Sequence, residues 1–313
     1  MNRAIIMLLV SLGVALGPAM SEALAASQKK RMVIATVKKP VKSVAKYKAP
    51  VSANSASMDD ARDLMLHSTS VLVQDQSTGA ILFEKNADAV VPIASLTKLM
   101  TAMVALDARP SLDEMLDIGR DDVDTLKGTH SRLRVGAHLT REEMLRLALM
   151  SSENRAAAAL SRHYPGGREA FVAAMNQKAQ ALGLTDTRFS DSTGLTAANV
   201  SSARDLTRLV DAAHHYPLIR EFSTAADYKV DIAGRPQTFR NTNSLVKSSA
   251  WEIGLSKTGY ISEAGKCLVM QAWLNNKPTI IVLLDSWGRL TRIGDAQRIK
   301  RWVESAALQQ MQT

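Results

Sequence analysis

β-Leaning segments stand at both ends of the folded part of this 313-residue chain, with a long helix-patterned stretch between them, and that order excludes most architectures. Residues 70–75 and 80–85 flank Ser77-Thr78-Gly79, the turn chemistry of a β-hairpin. From Ser95 to about Ser223 apolar side chains fall at helical spacing, as at Leu96, Leu99, Met100, Met103 and Val104, and again at Met144, Leu145, Ala148 and Leu149. Further helices are predicted over 156–163, 169–182 and 203–214, the last after Ser202 with Asp205 three residues on, a capping-box-like start. Beyond Ala225, short β-leaning runs return at 228–232, 237–242, 254–260, 266–274 and 279–285, and 291–308 has the pattern of an amphipathic helix. A doubly wound parallel sheet needs strand and helix to alternate, and here they do not. The expectation is an α+β domain over 58–313. One antiparallel sheet is built from both chain ends, with flanking helices and a helical insertion over about 99–223, and the crevice between sheet and insertion is the natural place for a site.

The first residues stand apart from that domain. Arg3, the apolar run 4–16, Gly17-Pro18 and then Ala23-Leu24-Ala25 have the order of a secretory signal peptide cut after Ala25, so 1–25 is expected to be removed on export. No later segment approaches the roughly 20 apolar residues of a membrane helix. The net charge of +9 suggests nucleic acid until it is divided along the chain. Residues 26–57 carry Lys29, Lys30, Arg31, Lys38, Lys39, Lys42, Lys46 and Lys48 and no acid, which leaves +1 for everything after Ser57. With no aromatic ladder beyond Tyr47, and broken by Pro40 and Pro50, this stretch is expected to be a flexible basic tail. It serves either as a solvated linker or as a contact to an anionic envelope polymer or membrane surface; no nucleic-acid partner is expected. Cys267 is the only cysteine, so no intrachain disulfide forms, and its apolar neighbours Leu268, Val269 and Met270 point to a buried, inert thiol. The six histidines show no metal-ligand spacing, and neither metal nor cofactor is expected.

Ser95 and Lys98 open the first strongly helical segment, and a spacing of three puts hydroxyl and amine on one face. A helix start also supplies unpaired N–H groups where an acyl oxyanion would form. Taken alone the pattern is weak, since Ser27/Lys30 and Ser43/Lys46 repeat it in the tail. Ser152-Glu153-Asn154 follows the helix around Met144 to Met150, and Lys257-Thr258-Gly259 lies on a predicted strand. A helix cap and a kinked edge strand explain each of these equally well in isolation.

As an ordered set they are the SxxK, SDN-type and KTG signature of β-lactamases and penicillin-binding proteins. The run Arg188-Phe189-Ser190-Asp191-Ser192-Thr193-Gly194-Leu195 resembles a segment usual in D-alanyl-D-alanine peptidases. Pro92-Ile93-Ala94-Ser95, the run from Leu149 to Ala157 and Lys257-Thr258-Gly259-Tyr260 resemble the penicillin-binding protein 7 type of D-alanyl-D-alanine endopeptidase. The resemblance spans roughly Ser68 to Trp302 and implies a penicillin-binding/β-lactamase-like transpeptidase fold in a periplasmic enzyme. Its substrate would be the D-alanyl to diaminopimelyl cross-links of peptidoglycan, and β-lactam antibiotics would acylate it. The implied catalytic residues are Ser95 as nucleophile, Lys98 as its base and Ser152 as proton relay to the leaving amine. Asn154, Lys257, Thr258, Gly259 and Tyr260 would bind substrate. Asn154 would hold the substrate amide by two-way hydrogen bonding, Lys257 would stay charged, and the N–H groups of Ser95 and Tyr260 would form the oxyanion hole.

Other readings stay open on the residues alone. No residue chemistry separates an endopeptidase from a D-alanyl-D-alanine carboxypeptidase. A β-lactamase lacks its deacylating glutamate here, because Glu153 sits inside the Ser/Asn motif. A catalytically silent peptidoglycan-binding protein would not need every catalytic position filled, and a Ser-His-Asp hydrolase would need a Gly-x-Ser-x-Gly elbow that is missing.

Overall fold

A computed structural model describes residues 64–312 apart from Arg289, with side chains to residue 306. The expected signal peptide (1–25) and basic tail (26–57) lie outside the described residues. In chain order come β1 (Ser68–Asp75), β2 (Ile81–Lys85), β3 (Val91–Pro92), a 3₁₀ turn (Ala94–Thr97), α1 (Lys98–Asp107), β4 (Met115–Asp117) and β5 (His138–Thr140). Then follow α2 (Arg141–Met150), α3 (Asn154–Arg162), α4 (Gly167–Ala181), β6 (Val200–Ser201), α5 (Ala203–His214) and α6 (Pro217–Thr224). The chain closes with β7 (Asp227–Ile232), β8 (Arg235–Arg240), β9 (Glu252–Ile261), β10 (Gly265–Leu274), β11 (Lys277–Ser286) and α7 (Thr291–Gln312).

Both ends of the domain meet in one five-stranded sheet of order β2-β1-β11-β10-β9, antiparallel throughout. Successive side chains on a strand point to opposite faces, so register decides what each residue meets. Lys257 lies opposite Val269, Val269 opposite Val282, and Val282 opposite Leu72. Leu72, Val269 and Val282 belong to the larger core, with Ile93, Leu96 and Leu99. Their neighbours Val71, Leu268 and Leu283 form the opposite face, where Ala296 and Ile299 of α7 cover them. Strand parity alone thus turns Lys257 toward the helices. There α1 is the hub: Lys98 through Ala105 are buried, and α2 to α6 pack around it.

Capping sets several boundaries. Ser202 Oγ accepts from Asp205 N and starts α5 at the predicted residue. Thr140 and Glu143 form a reciprocal capping box at the start of α2. One expectation is corrected. Of the five predicted C-terminal strands, only β9, β10 and β11 join the main sheet, while β7 and β8 pair with each other as a separate hairpin. Their burial alternates, with Val230, Ile232 and Phe239 turned inward and the intervening residues exposed. β10 and β11, by contrast, are buried on both faces and fit a sheet interior.

Cys267 is fully buried, and burial pushes its thiol up to about 11. It should therefore resist iodoacetamide in the folded protein at pH 8 and take up one equivalent once denatured, as intact-mass spectrometry would show. Alkylation at equal rates in both states would contradict that placement.

Candidate active site

Ser95 lies in the 3₁₀ turn directly before α1, and not in the first turn of the α-helix as its sequence position suggests. In a 3₁₀ turn, side chains three residues apart eclipse one another, which tightens the pairing. Lys98 Nζ donates to Ser95 Oγ at 2.8 Å, to Asn154 Oδ1 at 2.8 Å and to Thr193 O at 2.7 Å. Burial pushes the Lys98 amine down to about 7, against the opposing pull of Asp191 and Glu153. Near neutral pH a large share of it is uncharged. A neutral amine has two hydrogens and one lone pair. With the hydrogens on Asn154 Oδ1 and Thr193 O, the lone pair faces the Ser95 hydroxyl, an arrangement able to take a proton from an alcohol.

The second tier comes from the α2–α3 junction and β9. Ser152 holds φ at 61°, a left-handed conformation uncommon outside glycine, and its hydroxyl accepts from Lys257 Nζ at 2.9 Å. Lys257 also donates to Thr258 O at 2.9 Å, and Thr258 Oγ1 donates to Thr242 Oγ1 at 2.6 Å. At Gly259 the absence of a side chain is needed: a Cβ there would stand 2.9 Å from Ile93 O and 3.2 Å from Ser95 N. Tyr260 turns its ring outward, 60% exposed and capped by the Lys266 ammonium at 4.1 Å from the ring centroid, so only its backbone faces the groove.

Two expectations change. Lys257 does not sit where a charge is easily kept: burial first, then Lys98, then Arg292 push it well below the ordinary lysine range. An entering anion would restore its proton. Asn154 is not free for two-way bonding either, because Oδ1 accepts from Lys98 while Nδ2 donates to Thr129 Oγ1 at 3.1 Å. Thr129 and Thr242 complete the site without any motif to announce them, while Thr193 belongs to the run from Arg188 to Leu195 but enters through its backbone carbonyl. Arg292 of α7, also unannounced, donates to Gly259 O at 3.0 Å and Cys267 O at 3.2 Å behind the groove-lining strand. Glu153 is buried, which raises its carboxyl, and it accepts from Ser131 Oγ at 2.6 Å. A cleft of about 700 Å³ opens beside Asn154 and Thr193, lined also by Asp124, Leu126, Val172 and Asp191.

The D-alanyl-D-alanine carboxypeptidase profile, peptidase S11, matches residues 53–287, which include all of these groups except Arg292. The chain belongs to the peptidase S11 family. Within it, the chain is 52% identical over 242 residues to the D-alanyl-D-alanine endopeptidase of Pseudomonas aeruginosa, covering 77% of this chain and 78% of that protein. It is 46% identical over 255 residues to the D-alanyl-D-alanine endopeptidase of Escherichia coli, covering 81% and 82%. Among solved structures, the Streptomyces K15 DD-transpeptidase superposes with a TM-score of 0.71 at 29% identity, over 77% of this chain and 98% of that one. Penicillin-binding protein D2 of Listeria monocytogenes, in its ampicillin-bound form, gives 0.68 at 28% over the same shares. The α+β transpeptidase fold expected from the sequence is thus the fold of the S11 chain.

Proposed function

We propose that the protein is a serine endopeptidase that hydrolyses the D-alanyl to diaminopimelyl cross-links of peptidoglycan. The observation that carries this reading is the Ser95–Lys98 pair, a hydroxyl at 2.8 Å from a buried amine whose pKa is lowered to about 7. Lys98 takes the Ser95 proton as Oγ bonds to the D-alanyl carbonyl carbon, and the oxyanion is met by the N–H groups of Ser95 and Tyr260. As the tetrahedral adduct collapses, the C–N bond breaks and the leaving amine receives a proton through Ser152, which Lys257 holds in place. Water then hydrolyses the Ser95 ester by the same route, with Lys98 as base. Thr258 and a recharged Lys257 hold the carboxylate of the leaving residue, and Gly259 lets an extended peptide lie along β9. Asn154 exchanges Thr129 for a substrate carbonyl.

The endopeptidase assignment rests on relatives: the Pseudomonas aeruginosa and Escherichia coli proteins at 52% and 46% identity are named endopeptidases, while carboxypeptidases of Bacillus subtilis and Escherichia coli stand at 33% and 31%. Membership of a carboxypeptidase family keeps trimming of a terminal D-alanine as the second reading. β-Lactams would acylate Ser95 and leave slowly, because Glu153 is engaged by Ser131. Among the described residues no helix is long and apolar enough to cross a membrane. We place the mature chain in the periplasm after removal of 1–25, with the +8 segment 26–57 drawn to anionic wall or membrane surfaces.

The deciding measurement is mass spectrometry of a purified cross-linked muropeptide dimer incubated with the protein, beside Ser95→Ala and a penicillin-treated sample. Conversion to two monomers, lost in both controls, is the expected result. Loss of a terminal alanine alone would move the assignment to carboxypeptidase.

A further inference from the structure

Of the side-chain contacts that join β9 and its turn to the helical part of the molecule, two flank Ser95 along the groove. On one side of Ser95, Lys257 donates to Ser152. On the other, Lys127 pairs with Glu263 in the turn between β9 and β10. The two ends differ in chemistry because β9 has a direction. Ser95 N stands beside Gly259, so the reacting carbonyl is level with Gly259 and Tyr260. With Lys257 and Thr258 on the carboxylate of the leaving residue, the acyl peptide runs the other way, past Ile261 toward Glu263. The residue that precedes D-alanine lies about 3.4 Å further along, within a long side chain's reach of the Lys127–Glu263 pair.

Lys127 is held in place by a built loop. The Asp124 carboxylate accepts from the backbone N–H groups of Leu126 (2.8 Å), Lys127 (2.9 Å) and Thr129 (2.8 Å) and from Thr129 Oγ1 (2.7 Å). Thr129 Oγ1 in turn accepts from Asn154, and Ser131 donates to Glu153, so the loop is tied to the Ser/Asn motif at two points. Glu263 is steadied by Ser262 Oγ, which donates to it at 2.8 Å. A partly exposed ion pair contributes little to stability, so its position across the groove, more than its energy, is what needs a reason.

We propose that Lys127 and Glu263 form the specificity subsite for the diamino-acid side chain of the acyl stem, and recognise its zwitterionic end. The inference rests on the peptidoglycan reading above. A diaminopimelyl side chain whose amine is not cross-linked ends in an ammonium and a carboxylate on one carbon. Its ammonium takes the place of Lys127 at Glu263, and its carboxylate takes the place of Glu263 at Lys127. One ion pair is exchanged for two, and no charge is stranded. A lysine side chain, or a diaminopimelyl end with its carboxylate amidated, leaves Lys127 without its anion and binds more weakly.

The test uses the acyl-side product itself, the stem tetrapeptide ending in diaminopimelyl-D-alanine, to protect Ser95 from a fluorescent penicillin. The lysine and side-chain-amidated tetrapeptides run beside it. Protection is compared within each protein, so any change in labelling rate cancels. The wild type should be protected by the diaminopimelyl peptide at about a tenfold lower concentration than by either analogue. Lys127→Ala should erase that preference, and Glu263→Gln should weaken all three ammonium-bearing peptides together. Equal protection by the three peptides, no protection by any, or a preference that survives both substitutions would overturn the subsite. A preference for the diaminopimelyl peptide in a protein that leaves muropeptide dimers uncut would instead remove the endopeptidase reading and keep the subsite.

Discussion

Lys98→Met should slow acylation of Ser95 by penicillin by about 10³- to 10⁴-fold, near the upper range for removal of a general base, and Ser95→Ala should abolish covalent labelling altogether. Methionine fills much the same space in a fully buried position, so the loss would be chemical and not a collapse of α1. The pH dependence separates this role from mere packing. Only neutral Lys98 can accept the Ser95 proton, and its pKa stands at about 7. The acylation rate of the wild type should rise about tenfold per pH unit below that value and flatten above it. Lys257 acts in the opposite sense, since it holds a carboxylate only when charged, and burial lowers its pKa as well. A wild-type rate that stays flat between pH 5.5 and 8 would remove Lys98 from the role of base.

The same shift has a signature in stability. Folding lowers the Lys98 pKa from 10.5 to about 7, so between those values the unfolded chain binds more protons and stability rises with pH. The cost of the buried amine is fully present below about pH 7 and disappears above 10.5. Lys98→Met removes that cost but leaves Asn154 Oδ1 and Thr193 O without their donor. The stability of the variant minus that of the wild type should therefore fall steadily from pH 7 to pH 10 in urea titrations, whatever its absolute sign. A difference independent of pH would mean that Lys98 is charged in the folded protein.

What the sequence could announce depended on whether the chemistry sat on side chains. Ser95, Lys98, Ser152, Asn154 and Lys257 carry type and spacing in the chain, and the structure brings them together as two hydrogen-bonded sets, Ser95 and Asn154 on Lys98 and Ser152 on Lys257. Strand parity turns Lys257 inward once β9 is in register with β10 and β11, whose continuous apolar runs do not alternate. Thr193 lies in the run from Arg188 to Leu195, but it acts through its carbonyl, a group every residue owns, so its role carries no signature. Arg292 looks like one more cation on an amphipathic helix until tertiary packing points it at Gly259 O. The downward push on Lys257 was hidden for a related reason, since burial belongs to the assembled core and not to the motif. The two- and three-residue pairings of β3 with β6 and β4 with β5 are too short to show a period at all.

Gly194→Ala is expected to destabilise the fold by about 2–4 kcal/mol and to lower acylation by at least about 10²-fold, although Gly194 touches no substrate. Its φ is +79°, and a Cβ would fall 2.0 Å from Ala94 O, the carbonyl immediately before Ser95. That carbonyl already belongs to a strained segment: Ala94 itself has φ +48°, and its oxygen accepts from Thr97 Oγ1 at 2.8 Å. Asn199 Nδ2 donates to Thr97 Oγ1 at 3.0 Å and to Asp191 Oδ1 at 2.8 Å, and Asp191 Oδ1 accepts from Gly194 N at 2.8 Å. The nucleophile's turn thus rests on the 190–199 loop through a chain of hydrogen bonds from Ala94 O to Gly194 N, and Gly194 is the point at which the two backbones touch. Backbone cannot yield as a flexible side chain can, so the alanine must push Ala94 and shift Ser95 from Lys98. Gly234→Ala isolates the cause, because Gly234 has a similar φ of +76° with nothing within 4 Å of the added carbon. It should cost about 1 kcal/mol in urea denaturation and leave penicillin acylation intact. Equal loss of acylation in the two variants would show that left-handed backbone conformation, and not contact with the seryl turn, sets the effect.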